Sequence, residues 1–404
     1  MLRCRLVQMF IGMALFLLFA GNIRAQLLAP ESSTGTAAES PFKALSIITG
    51  LTVTNDSNIF RQPTAQEDTI TSGYLGLRLD KSYSQQQFQL SVIQRATRYA
   101  KFSYLNFDAT DYDGGWNWQL GKRFSGRLSA SRTQSLAPFN DALGTGRNVR
   151  ISQTQALDVD AWVDGGWHAL FGLSQTDQKS EQNTLSRTPD FKAVNASVGV
   201  KYLTRAGNSM TVRQQTTAGE YTSSAVGAAP MSDYTEDLTE ISADWKPNGA
   251  SALNGRVGWL QRTNKDPARR NFSGPSSSVS YTWTPGGKLS ALVTAAQKTV
   301  PLQDLSASYR EENSLSFSPA WQISNKTSSY LRVSYTKSND KGAINPPPAG
   351  PRRDTFSAAA VGLDWAATRT LKINASVEYQ QRSSNIALTE YNATIARIGA
   401  SLAF

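Results

Sequence analysis

Long stretches of this chain alternate apolar and polar residues with a period of two. Leu371, Ile373, Ala375, Val377 and Tyr379 alternate with Lys372, Asn374, Ser376 and Glu378. Val194, Ala196, Val198, Val200 and Tyr202 alternate with Asn195, Ser197, Gly199 and Lys201. Successive strand side chains point to opposite faces, so these segments form strands with one apolar and one polar face. No helical stripe of 3.6-residue period competes with this pattern. A longer period narrows the architecture. Aromatics recur near strand ends at Trp118, Trp162, Tyr202, Trp245, Trp283, Trp321, Trp365 and Phe404, at intervals of roughly 40 residues, the length of two strands, one long loop and one short turn. Short polar turns such as Pro247-Asn248-Gly249 and Pro285-Gly286-Gly287 follow the aromatics, and the longer loops fall on the other side. An aromatic belt with short turns at one rim and long loops at the other is the pattern of an outer-membrane barrel. A propeller blade of similar length needs four strands, not two.

The spacing predicts an all-β, antiparallel transmembrane β-barrel over residues 44–404. About 18 strands are expected, near 44–53, 69–80, 86–99, 107–120, 125–136, 150–163, 167–178, 191–203, 208–222, 233–246, 251–262, 272–284, 288–299, 308–321, 327–338, 353–366, 370–382 and 390–404. An even count puts both termini in the periplasm. The chain ends on Ile398, Ala400, Leu402 and Phe404, which resembles the C-terminal signature read by the barrel assembly machinery.

The first 25 residues read as an address. Arg3 and Arg5 precede an apolar run from Met9 to Ala20, too short to span a bilayer, and Ile23-Arg24-Ala25 offers a cleavage site. Residues 1–25 are therefore expected to be a signal peptide, and the Ser/Thr/Ala/Pro-rich stretch 26–43 a flexible periplasmic leader. The expected destination is the bacterial outer membrane, with its lipids and lipopolysaccharide as surroundings.

Composition removes whole classes of chemistry. A single His and a single Cys among 404 residues exclude zinc clusters, Cys/His nucleophilic dyads and any intramolecular disulfide. His168 has no readable nucleophile or carboxylate partner, so no catalytic residue, metal or cofactor is expected, and the chain reads as no enzyme. The formal charge of +10 is spread singly over strands of an exported chain, which argues against nucleic acid as a partner.

The polar phase of each strand points into the lumen. It places Arg95, Arg213, Arg256, Arg332 and Arg397 inside, near mid-membrane, with Asp80, Asp244 and Asp364 at the periplasmic rim. A register slip of one residue would turn these arginines into lipid, at roughly 2–4 kcal/mol each near the midplane. Guanidinium forks in the lumen would attract carboxylates or phosphates on a passing solute, so these five are the candidate substrate-binding residues.

Residues 42–60, FKALSIITGLTVTNDSNIF, and 98–107, RYAKFSYLNF, resemble the EpsL-type outer-membrane proteins of extracellular-polysaccharide operons, the group associated with exosortase systems; Asp164 to His168 and Gly207 to Thr211 are further similar stretches. The resemblance covers most of the chain through diffuse strand patterns. It implies export or assembly of an extracellular polysaccharide, with periplasmic export partners, and brings no catalytic residues. The residues themselves leave two alternatives: a porin-like diffusion channel for small anionic solutes, and a plugged structural barrel acting through its loops.

Overall fold

The computed structural model describes residues 44–139, 144–181, 190–221, 233–266, 271–304, 307–343 and 350–404. The expected signal segment 1–25 and leader 26–43 lie outside the described residues. The described residues form a single sheet of 18 antiparallel strands. In chain order these are β1 (Leu45–Asp56), β2 (Asp68–Tyr83), β3 (Gln86–Tyr99), β4 (Phe107–Leu120), β5 (Phe124–Leu136), β6 (Val149–Asp164), β7 (Trp167–Ser180), β8 (Phe191–Leu203) and β9 (Ser209–Tyr221). They continue as β10 (Tyr234–Asn248), β11 (Ser251–Asn264), β12 (Phe272–Gly286), β13 (Leu289–Asp304), β14 (Ala307–Ser324), β15 (Thr327–Lys341), β16 (Arg353–Ala366), β17 (Leu371–Ser384) and β18 (Tyr391–Ala403). Each strand pairs with its neighbours in sequence, and β1 pairs with β18, so the sheet closes and leaves no edge.

The bounds fall close to those expected from periodicity, with a larger difference at β13 and β14. The sequence suggested a loop between 299 and 308. Instead β13 runs through Pro301, which faces Tyr309, and the hairpin closes with Asp304 opposite Ala307. Proline lacks the N–H that a ladder needs. Here the pairing of β13 with β12 stops at Gln297, so Pro301 lies where β13 is paired with β14 alone.

The alternation resolves into an outer apolar face and a lumenal polar one. On β8, Val194, Val198 and Val200 are exposed outward while Asn195, Ser197 and Lys201 face the lumen. Trp245, Trp283, Trp321, Trp365 and Phe404 are exposed near the rim of short turns, as the belt requires. One belt member is corrected. Trp162 shares the phase of Asp160 and turns its indole N–H to the Gly165 carbonyl at 2.9 Å. The ladder shifts register between Trp162 and Asp164, and Trp167 takes the outward place, packed on Tyr202 at 4.9 Å.

Several glycines lie directly opposite aromatics. Tyr74 covers Gly50, Tyr234 covers Gly219 and Tyr330 covers Gly362, each pair in direct register. A Cβ at Gly219 would stand 2.1 Å from the Tyr234 ring. The rings therefore lie flat along the lumen wall only because the facing residue has no side chain.

The buried apolar cluster is at the extracellular mouth. Ile59, Phe60, Tyr99, Leu105, Phe107, Ala109 and Val149 form it. Phe60 packs edge-on against Phe102 and Phe139, at 4.8 and 4.9 Å. The connections after β1, β3 and β5 thus meet as a cap. Asp68, almost wholly buried, holds it: its carboxylate accepts the backbone N–H groups of Thr69 at 2.7 Å, Lys101 at 2.8 Å and Phe102 at 3.0 Å.

The seam gives Phe404 a defined role. Its N–H donates to the Ile47 carbonyl at 2.9 Å, and its carbonyl accepts from the Ile47 N–H at 3.1 Å. Deleting Phe404 removes both bonds and the outward ring. Folded, heat-modifiable protein in outer-membrane fractions should fall several-fold relative to an unfolded-protein control, while deleting an exposed residue of the 385–390 connection should leave the yield unchanged. Equal yields would remove the closing role.

Candidate functional site

The five candidate arginines all take the lumenal phase. Val257 and Ile398, beside Arg256 and Arg397, are 66% and 58% exposed on the outer face, which fixes the register. The structure then divides the five. Arg95 is ion-paired with Asp111, and Arg397 donates to Glu378 at 3.1 Å. Arg332 lies 5.8 Å from the centroid of the Tyr330 ring. Arg213 and Arg256 line a cavity of ≈ 760 Å³ in the periplasmic half of the lumen. Among the described residues, Arg213, Arg256 and Arg332 are in no ion pair.

Strand alternation alone puts the other charged groups of that cavity on the lumenal face, and register between strands brings them together. Arg127 and Lys201 join it from β5 and β8, with Asp158, Asp160, Glu240 and Asp244 as acidic neighbours. Arg127 donates to Asn117 at 2.9 Å. Asp160 is bound on both oxygens, by His168 Nδ1 at 2.5 Å and by the Lys201 ammonium. His168 therefore does have a carboxylate partner. The signal was present: across the two-residue turn Gly165-Gly166, Asp160 and His168 share a phase. Asp244 accepts from Ser209 at 3.1 Å and from Asn254. Asp80 receives Gln87 and Gln89, each at 3.3 Å.

The two halves of the lumen differ in how their charges are used. Toward the extracellular mouth, charges are tied to each other. Arg61 grips Asp56 through two bonds of 2.8 Å, Arg310 binds Asp340 at 2.5 Å, and Arg352 and Arg382 share Asp354. Arg262 is 2% exposed, pairs with Glu236 at 2.8 Å, donates to the Tyr221 hydroxyl at 2.8 Å and lies 3.4 Å from the Tyr234 ring centroid. Beyond the strands, Asp233 accepts from Lys265 at 3.0 Å, and this hydrogen bond raises the ammonium pKa. Paired charges of this kind hold structure and have little left for a solute. In the periplasmic half, Asp158, Arg213, Glu240 and Arg256 have no hydrogen-bonded or ion-paired partner among the described residues. Those groups are what a passing solute meets. No group of three His, Cys, Asp or Glu side chains is arranged to hold a metal among the described residues.

The chain superimposes on the outer-membrane protein OpdK of Pseudomonas aeruginosa with a TM-score of 0.51, at 9% identity, over 89% of this chain and 99% of that one. The chain is a bacterial outer-membrane β-barrel of porin-like fold. OccK9 (OpdG) of the same organism gives 0.51 at 11% identity, over 89% and 98% of the two chains. OccK2 (OpdF), crystallised with glucuronate, gives 0.51 at 10%, over 89% and 96%. At such identities the likeness is one of fold. The family model described as "Putative beta-barrel porin 2" matches residues 250–404, which hold β11 to β18. No curated protein matches the chain in sequence.

Proposed function

We propose that the protein is a porin-like diffusion channel for small solutes carrying a carboxylate. The observation that carries this reading is that, among the described residues, Arg213, Arg256 and Arg332 are in no ion pair within a closed barrel, two of them on the ≈ 760 Å³ cavity. A guanidinium in no ion pair keeps its fork for a carboxylate. OpdK was solved with vanillate and OccK2 with glucuronate; both are carboxylates, which supports the reading by analogy of fold.

A second reading is a role in export or assembly of an extracellular polysaccharide, which rests on the EpsL-type resemblance. One observation favours it: segments 42–60 and 98–107, which carry the resemblance, supply Ile59, Phe60, Tyr99, Phe102, Leu105 and Phe107 to the extracellular cap. A deletion strain that loses secreted polymer but keeps uptake of small carboxylates would favour this second reading over the first.

The channel reading makes a selectivity prediction. In planar bilayers the protein should pass chloride more readily than potassium, and less so as salt rises. Replacing Arg213, Arg256 and Arg332 together by Gln should abolish the preference with folding intact. Arg397→Gln alone should shift it less, because Glu378 already neutralises that charge. Cation selectivity of the unmodified protein would refute the assignment.

A further inference from the structure

We infer that the periplasmic half of the lumen is a site for zwitterionic solutes, those that carry an ammonium and a carboxylate a few ångströms apart, as α-amino acids do. This deepens the channel reading and rests on it. Charges of opposite sign follow one another around the wall. Arg213 on β9 stands directly opposite Glu240 on β10. Arg256 on β11 stands opposite Ser242, the next lumenal residue along β10 after Glu240. Directly opposite residues in an antiparallel pair are only ~4.5–5.5 Å apart at Cα. A cation, an anion and a second cation are therefore presented side by side on adjacent strands. On the other flank, Asp158 of β6 faces Gly172 of β7, and Gly199 of β8 faces Arg213. Neither glycine carries a side chain; Asp158 and Ser197 lean over Gly172, and Arg213 packs beside Gly199, so both charged side chains lie close along the wall.

Among the described residues these four charged groups form no hydrogen bond or ion pair, unlike Asp160, Lys201 and Asp244 in the same cavity, although Arg213 and Arg127 lie near enough to attract Asp158. Two carboxylates and two guanidiniums sum to zero. An anion approaching Arg213 also meets Glu240, and a cation approaching Glu240 also meets Arg213 and Arg256. A solute with both charges satisfies each in turn, and so is favoured over one that carries a carboxylate alone and meets Glu240 and Asp158 beside the arginines. The cavity of ≈ 760 Å³ is larger than an amino acid, which suits passage rather than retention.

The test is swelling of liposomes holding the purified protein, with L-glutamine and D-arabinose as solutes of similar size. Glutamine is expected to enter several-fold faster than the sugar. The double variant Asp158→Asn, Glu240→Gln should bring the ratio of the two rates close to one. The exchange Arg213→Glu with Glu240→Arg, which keeps both charges on the same wall, should retain most of it. Equal rates for the unmodified protein, or an unchanged ratio in the double variant, would overturn the zwitterion site while leaving a channel. If neither solute enters vesicles whose protein is folded and heat-modifiable, the channel reading itself fails, and the site with it.

Discussion

Replacing Asp68 by Ala is expected to unlatch the extracellular cap and widen the channel. The side chain is 1% exposed and accepts three backbone N–H groups, two of them from the 100–106 connection. Hydrogen bonds to a charged acceptor contribute about 1.5–3 kcal/mol each, and donors left dry cost more than the bond was worth, so a total loss of about 3–5 kcal/mol is reasonable for the latch. The loss is local, because the ladder of β1 and β2 does not depend on Asp68 beyond its last pair with Asp56. Single-channel conductance should rise, and protease should cut near Lys101 in proteoliposomes where it did not before. Asp68→Asn, which keeps one acceptor oxygen, should fall between. Unchanged conductance together with unchanged protection would show that the cap is held by its aromatic contacts alone.

The second large effect concerns Arg262. It combines an ion pair with Glu236, a bond to Tyr221 and a close approach to the Tyr234 ring, all while almost wholly buried. Breaking a buried pair from one side leaves the partner charge without compensation, which costs roughly 3–5 kcal/mol. Arg262→Met should lower the urea midpoint of the detergent-solubilised protein accordingly. Arg262→Lys should rescue little, since an ammonium cannot reach the carboxylate, the hydroxyl and the ring face together. Arg256→Gln on the same strand is the control: it removes an unpaired charge and should leave the midpoint nearly unchanged. If the two variants unfold alike, the cluster around Arg262 contributes no more than any lumenal arginine.

The barrel was legible in the sequence because its information is local and repeated. Alternation over Leu371 to Tyr379 gives a strand on its own, and the recurring aromatics give the hairpin period without any long-range contact. The inward phase of Arg213, Arg256 and Arg332 followed from the same alternation. What the sequence did not reveal depends on register between strands. Arg95 meets Asp111 only because Arg95 faces Ala109 and Ile93 faces Asp111 across β3 and β4. Asp160 meets Lys201 across the intervening β7. The cap is further removed still: Asp68 binds Lys101 and Phe102, and Phe60 packs on Phe139, with no periodicity in the connecting segments to bring them together. Trp162 looked like a belt residue by spacing alone, and a single register shift at the following turn gave that place to Trp167.

The meander has a consequence for how such proteins change over evolution. Among the described residues every strand pairs with its neighbour in the chain, and the one distant pairing is the seam of β1 with β18. A hairpin can therefore be duplicated or lost without rewiring any other connection, and the start of β1 and the end of β18 stay at the same rim. Because barrel diameter grows roughly in proportion to strand number, bore size is an inheritable dial turned by one hairpin at a time, while the charges that choose the solute vary independently on the strands that remain.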